Sequence, residues 1–205
     1  MSTKRSTSLL SSIVLVVLSS CIAAPVLAAE GPFVHEQMLR SHEGLEPITA
    51  SDVGFPTAAQ LANRGRSDGP IVMGYLPYWV SAQNLPWQHL DVLAWFSAEV
   101  NADGSLGDTH GWGGSGSDAV IEAAHAVGAI VVLSATRFGT EALNELLIDS
   151  IARTNTINNL ISAMINGGGD GLDIDFEGLG PDNRDQFVDF IIELRAAMDE
   201  AQPGS

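Results

Sequence analysis

Asp170-Gly171-Leu172-Asp173-Ile174-Asp175-Phe176-Glu177-Gly178 lies between two turn signals, Gly167-Gly168-Gly169 before it and Leu179-Gly180-Pro181 after it. Within those limits the sequence alternates strictly, with Leu172, Ile174 and Phe176 apolar and Asp173, Asp175 and Glu177 acidic. A period of two specifies a β-strand, because successive side chains leave opposite faces. The three acids therefore share one face, about 6.6 Å apart at roughly 3.3 Å per residue. The apolar residues take the other face, where helices can cover them.

Three carboxylates in one row are costly to desolvate beside like charges, so at least one pKa should rise and a proton can be shared. A carboxylic acid held protonated near neutral pH is what cleavage of a glycosidic bond needs, since the leaving oxygen takes a proton as it departs. Two plainer readings compete, a solvated acidic strand face and a metal site. Calcium fails on spacing: a loop beginning Asp173-x-Asp175-x-Glu177-Gly178 would place Arg184 where a bidentate glutamate is required. No metal and no cofactor is expected.

The chain opens as an export address. Lys4 and Arg5 precede an apolar run from Leu9 to Leu18, and small residues follow to Ala29. Residues 1–28 have the layout of a signal peptide, too short to be a spanning helix. Val26-Leu27-Ala28 offers one cleavage site; Leu18-Ser19-Ser20-Cys21 looks like a lipoprotein box, in which Cys21 would be acylated and anchor the protein to a membrane. Both exits remain open, so the expected location is exported, either secreted or lipid-anchored at a bacterial envelope. Cys21 is the only cysteine of the 205 residues, which leaves no internal disulfide and makes an apolar core the source of stability. Losing residues 1–28 removes Lys4, Arg5 and no acid, taking the formal charge from −16 to −18. Such acidity excludes nucleic acid as a natural partner.

Residues 29–69 are polar and mixed, a leader or linker with a helical possibility around His35 to His42. Those two histidines have no ligand spacing and are expected to be solvated. From residue 70 the pattern changes. Ile71 to Leu76, Leu90 to Ser97 and Ala129 to Ser134 are short apolar runs of buried-strand type, and the acidic strand is the fourth. Helices are expected over Ala119 to Val127, capped by Ser117 or Asp118 and stopped by Gly128, then over Glu141 to Ile148 and Ser150 to Ile165. A last helix capped by Asp182 should reach about Glu200. Ile157, Leu160, Ile161, Met164 and Ile165 form one stripe; Phe187, Phe190, Ile191, Leu194 and Met198 form another.

Four strand–helix alternations specify an α/β fold of parallel βαβ units. A doubly wound sheet and a (β/α)8 TIM barrel both fit. The lack of a glycine-rich phosphate motif after the first strand weighs against the former, and acids at a strand's C-terminal end favour the barrel, whose chemistry sits there. A barrel takes about 250 residues, so only about the first four βα units are expected here.

Asp170 to Glu177 fills every defined position of Asp-Gly-x-Asp-x-Asp-x-Glu and resembles the signature of glycoside hydrolase family 18, the chitinases and their relatives. Met73-Gly74-Tyr75-Leu76-Pro77-Tyr78-Trp79 looks like that family's first strand, and Leu90 to Leu106 like its second strand and turn. The third departs: Ser134-Ala135-Thr136-Arg137 stands where the family usually has Ser-x-Gly-Gly. The resemblance covers Ile71 to Ala201 and implies that residues 70–205 are the N-terminal half of a catalytic barrel acting on N-acetylglucosamine polymers. By position, Glu177 would be the general acid and then the base, and Asp175 would orient the substrate's N-acetyl group, whose oxygen is the nucleophile. Asp173 would lie behind Asp175 and share its proton, with Asp170 and Gly171 structural. Tyr75, Trp79 and Trp112 are candidate sugar contacts, Trp112 because it sits in a glycine-rich loop; Trp95 reads as core. The alternatives are a glycan-binding protein without turnover, or a chain inactive without the rest of its barrel.

Overall fold

A computed structural model describes residues 33–62 and 70–203. The leader at residues 1–28, Cys21 included, lies outside the described residues. Helix α1 spans Val34–Ser41 and α2 Ala58–Ala62. Strand β1 (Met73–Pro77) is followed by β2 (Val92–Glu99), α3 (Ser115–Ala126), β3 (Ile130–Phe138), α4 (Thr140–Ile148), α5 (Ser150–Asn166), β4 (Gly171–Glu177) and α6 (Arg184–Ala201). The four strands form one parallel sheet in the order β1-β2-β3-β4. Helix α3 joins β2 to β3, α4 and α5 join β3 to β4, and a segment with a 3-10 turn, Trp87–His89, joins β1 to β2; sequential parallel neighbours with helices on one side build the wall of an α/β barrel.

The helix side holds the core. Leu93, Trp95, Val131 and Leu133 point into it, where Val120, Ala123 and Ala124 of α3 are fully buried. On the same side of β4, Leu172, Ile174 and Phe176 meet Leu160 and Met164 of α5 and Phe190, Leu194 and Met198 of α6. Each large side chain so buried contributes about 1.5–3 kcal/mol. Ile165 and Ile191 do not join their expected stripes, being 44% and 38% exposed. Both sit on the flank of their stripe, one turn beyond Ile161 and Phe187, which pack into the core.

Other boundaries differ from the sequence pattern for local reasons. Strand β1 is not buried on both faces: Leu76 packs into the core at 1% exposure, while Met73 and Tyr75, on the opposite face, stand 43% and 44% exposed. Helix α3 begins at Ser115, behind Gly114, because the Ser117 hydroxyl accepts from Gly113 N–H and bonds back to the Gly114 carbonyl from inside the first turn. Asp182 does not cap α6; it lies in a 3-10 turn, Pro181–Asn183, that delivers the chain to Arg184. Gly128 does follow α3 with φ +71°, a conformation costly for any residue with a Cβ.

The segment after α1 is pinned to the C-terminal end of the sheet. Ile48 N–H donates to the Tyr78 carbonyl at 2.9 Å, Ala82 N–H to Asp52 at 2.9 Å, and the Trp87 indole to the Gly54 carbonyl at 2.7 Å. Gly116 is needed where this segment crosses α3, since a Cβ there would come within 2.0 Å of the Ile48 carbonyl oxygen. No helix among the described residues is long and apolar enough to cross a membrane.

Candidate active site

Strand register places the acids opposite specific residues of β3: Ser134 beside Asp173, Thr136 beside Asp175 and Phe138 beside Glu177. The alternation of β4 puts all three carboxylates on the face away from α5 and α6. The Ser134 hydroxyl donates to Asp173 at 2.8 Å, and the Tyr75 phenol of β1 lies close enough to feel that carboxylate's charge. The serine of the atypical Ser134-Ala135-Thr136-Arg137 stretch thus supports the innermost acid, while Arg137 turns away to donate to the Val100 and Ala142 carbonyls.

Burial decreases outward along the row at its two outer positions. The side chain of Asp175 is 11% exposed and that of Glu177 24%. Burial pushes the Asp175 carboxyl above its usual range; pairing with His35 opposes the shift, and the charges of Glu177 and Asp173 add to it. A raised pKa within the row follows from placing like charges together in a partly dry site.

His35 is not the solvated residue its sequence context predicts. Its Nδ1 lies 2.7 Å from Asp175 Oδ2 and 3.3 Å from Glu177 Oε1, and its backbone N–H donates to Glu177 at 3.4 Å. The ring packs beside Tyr75 and Phe96, with centroids 5.7 and 5.5 Å away. His35, Asp175 and Glu177 together offer ligand atoms within 4.8 Å of one another, a spacing that a cation could also bridge. Nothing in the local sequence marks this histidine, which meets the acids from 140 residues away.

The aromatic candidates separate. Tyr75 and Trp79 stand on the acid side: Tyr75 lies close to Asp173, and Trp79 packs near Phe96 and carries His42 stacked on its face at 4.1 Å. Trp112 is on the other side of the sheet, beside the core residue Trp95. Its indole donates to the Ala163 carbonyl at 2.8 Å, and its ring fills the space that a Cβ on Gly167 or Gly169 would need. The exposure expected of a glycine-rich loop is lost because those glycines let the ring sink against α5. Trp112 braces the helix layer.

At the far end of β4, Asp170 accepts from Val131 N–H at 2.7 Å and pairs with His125 Nε2 at 2.8 Å, tying the strand's start to β3 and α3. A cavity of about 690 Å³ opens beside α1, lined by Glu36, Tyr78, Glu99, His110, Arg137 and Phe138 among others. It adjoins the acids through Phe138, the sheet neighbour of Glu177, but the carboxylates themselves are covered by His35.

Burial first and Asp173 second push the Tyr75 phenol up to about 12, and burial raises Tyr78 as well. With only two tyrosines in the chain, phenolate absorbance is readable directly. We expect little phenolate at pH 10. Asp173→Asn should lower the Tyr75 midpoint without returning it to 10, because burial is the larger cause. A wild-type midpoint near 10 would contradict this environment.

No protein-family model matches the chain. Over 66 residues it is 36% identical to YdhD of Bacillus subtilis strain 168, provisionally named a sporulation-specific glycosylase; the match spans 32% of this chain and 16% of that protein. A chitinase from Bacteroides thetaiotaomicron superposes with TM-score 0.56 at 24% identity, over 62% of this chain and 42% of its own. A chitinase from Rhizomucor miehei gives 0.53 at 23%, over 61% and 42%. The chain thus spans less than half the length of these chitinases and about a sixth of the glycosylase. The fold is chitinase-like, and the resemblance carried by residues 170–177 holds at that level.

Proposed function

From this chitinase-like chain we propose a glycosidase of glycoside hydrolase family 18 type that hydrolyses β-1,4-linked N-acetylglucosamine polymers with retention of configuration. The observation that carries the proposal is the row on β4, three acids on one face with Glu177 at the C-terminal end of a parallel strand. Glu177, outermost and with the more open carboxylate of the outer pair, protonates the departing glycosidic oxygen and then deprotonates water. Asp175, held beside it, orients the substrate's N-acetyl group so that its carbonyl oxygen attacks the anomeric carbon. It also stabilises the positive charge that develops on the resulting ring. Asp173, fixed by Ser134, keeps Asp175 in place. Tyr75 and Trp79 provide apolar faces for the sugar. In this reading β1 to β4 are the first half of a closed (β/α)8 barrel, and residues 1–28 direct export, either to the medium or to a lipid anchor at Cys21.

The test compares an N-acetylated chitobioside with its deacetylated counterpart, using the full-length protein. Substrate assistance requires the acetamido group, so only the acetylated glycan should be cut, releasing the β-anomer first. Equal cleavage of both would remove substrate assistance. Binding of the acetylated glycan without turnover would instead establish a glycan-binding protein on this scaffold.

A further inference from the structure

The segment from Phe33 to Ile48 lies where a glycan would have to lie. Phe33 places its ring against Gly178, directly after the acidic row; a Cβ on that glycine would come within 2.5 Å of it. One residue into α1, His35 engages Asp175 and Glu177 together. At the helix end, His42 stacks flat on Trp79, with an interplanar angle of 9°, and its carbonyl accepts from the Tyr78 hydroxyl at 3.1 Å. Pro47 then packs on Gly111, and Ile48 is hydrogen-bonded to Tyr78.

These contacts have the chemistry of a ligand rather than of a structural helix. A hydrogen-bonding ring sits on the two outer carboxylates, and a second flat ring sits on the face of Trp79. Helix α1 meanwhile buries only Leu39 of its eight residues. A helix this short is marginal without tertiary support, so its docking rests on few apolar contacts. With one residue buried in the core, α1 opens locally at less cost than the sheet behind it.

The geometry points to residues 33–48 being an intramolecular inhibitor, a strap that occupies the glycan site until it is displaced by glycan or removed. The inference rests on the proposed function for the identity of the displacing ligand. It does not depend on Glu177 being the acid. A closed strap reduces apparent affinity by the fraction of molecules that are open. If nine in ten are closed, freeing the site tightens binding about tenfold.

The experiment uses the full-length protein and N-acetylglucosamine oligomers, with binding followed by calorimetry and by the tryptophan fluorescence change that is lost in Trp79→Phe. Phe33→Ala combined with His35→Ala should lower Kd by about tenfold, and His35→Gln, which keeps a hydrogen-bonding side chain, should lower it less. Adding oligomer to the wild type should speed hydrogen exchange across residues 34–41 as the helix lifts. Unchanged Kd in both variants, exchange that does not respond to bound oligomer, or no oligomer binding by any form would each overturn the strap. Glu177→Gln separates the two proposals: its loss of hydrolysis with unchanged strap variants sinks only the strap, while tighter binding by the strap variants with normal Glu177→Gln turnover sinks only the assigned acid.

Discussion

Glu177→Gln is expected to lower kcat on an N-acetylglucosamine oligomer by about 10²- to 10⁴-fold, the range that loss of a positioned general acid commonly produces. The glutamine is isosteric and keeps an acceptor for the His35 backbone N–H, which reaches Glu177 at 3.4 Å. Glu177 lies outside the apolar core and the glutamine keeps its reach to His35, so the melting temperature should change little. The loss should also depend on the leaving group. A sugar hydroxyl departs as a strong base and needs the proton; a nitrophenol departs readily without one. The deficit on a nitrophenyl glycoside should therefore be smaller than on the natural oligomer. A variant that cuts the oligomer at the wild-type rate would exclude Glu177 as the acid.

Trp95→Ala is expected to destabilise the protein by about 3–5 kcal/mol, as for large aromatic residues deleted from a close-packed interior. Trp95 is fully buried between the sheet and α3, with Trp112 beside it at 6.3 Å. Its indole N–H has no hydrogen-bond partner among the described residues. A buried donor left unpaired costs about 1–3 kcal/mol, so Trp95→Phe removes that penalty while giving up part of the packing. The phenylalanine variant should unfold at a urea midpoint close to wild type, and the alanine variant at a much lower one with a similar slope. Equal losses in both variants would mean that the indole nitrogen is satisfied in the folded protein.

Particular residues show how far local pattern carries. The alternation from Leu172 to Glu177 specified a strand, its two faces and the shared side of the acids, because period two is a property of the backbone alone. The apolar runs before it marked three more strands, and the helices between the second, third and fourth marked those as parallel; that β1 joins them in parallel without a helix of its own is seen only in the sheet. The flanks of those patterns were less legible. Ile165, Ile191 and Tyr75 have the same character as their buried neighbours, and only tertiary packing separates them. Trp112 shows the converse, a loop residue drawn inward by a bond to Ala163 and by glycines 55 and 57 residues further along.

The acidic row, the α/β class and the absence of an internal disulfide are written in residue order, because each depends on neighbours a few positions apart or on composition. The partners of those acids are not. Ser134, Tyr75 and His35 reach the row from two other strands and from a helix 140 residues upstream. Side chains so distant in the chain meet only after strand register and the docking of α1 are set. Which carboxylate is covered, and by what, was therefore decided by the tertiary structure.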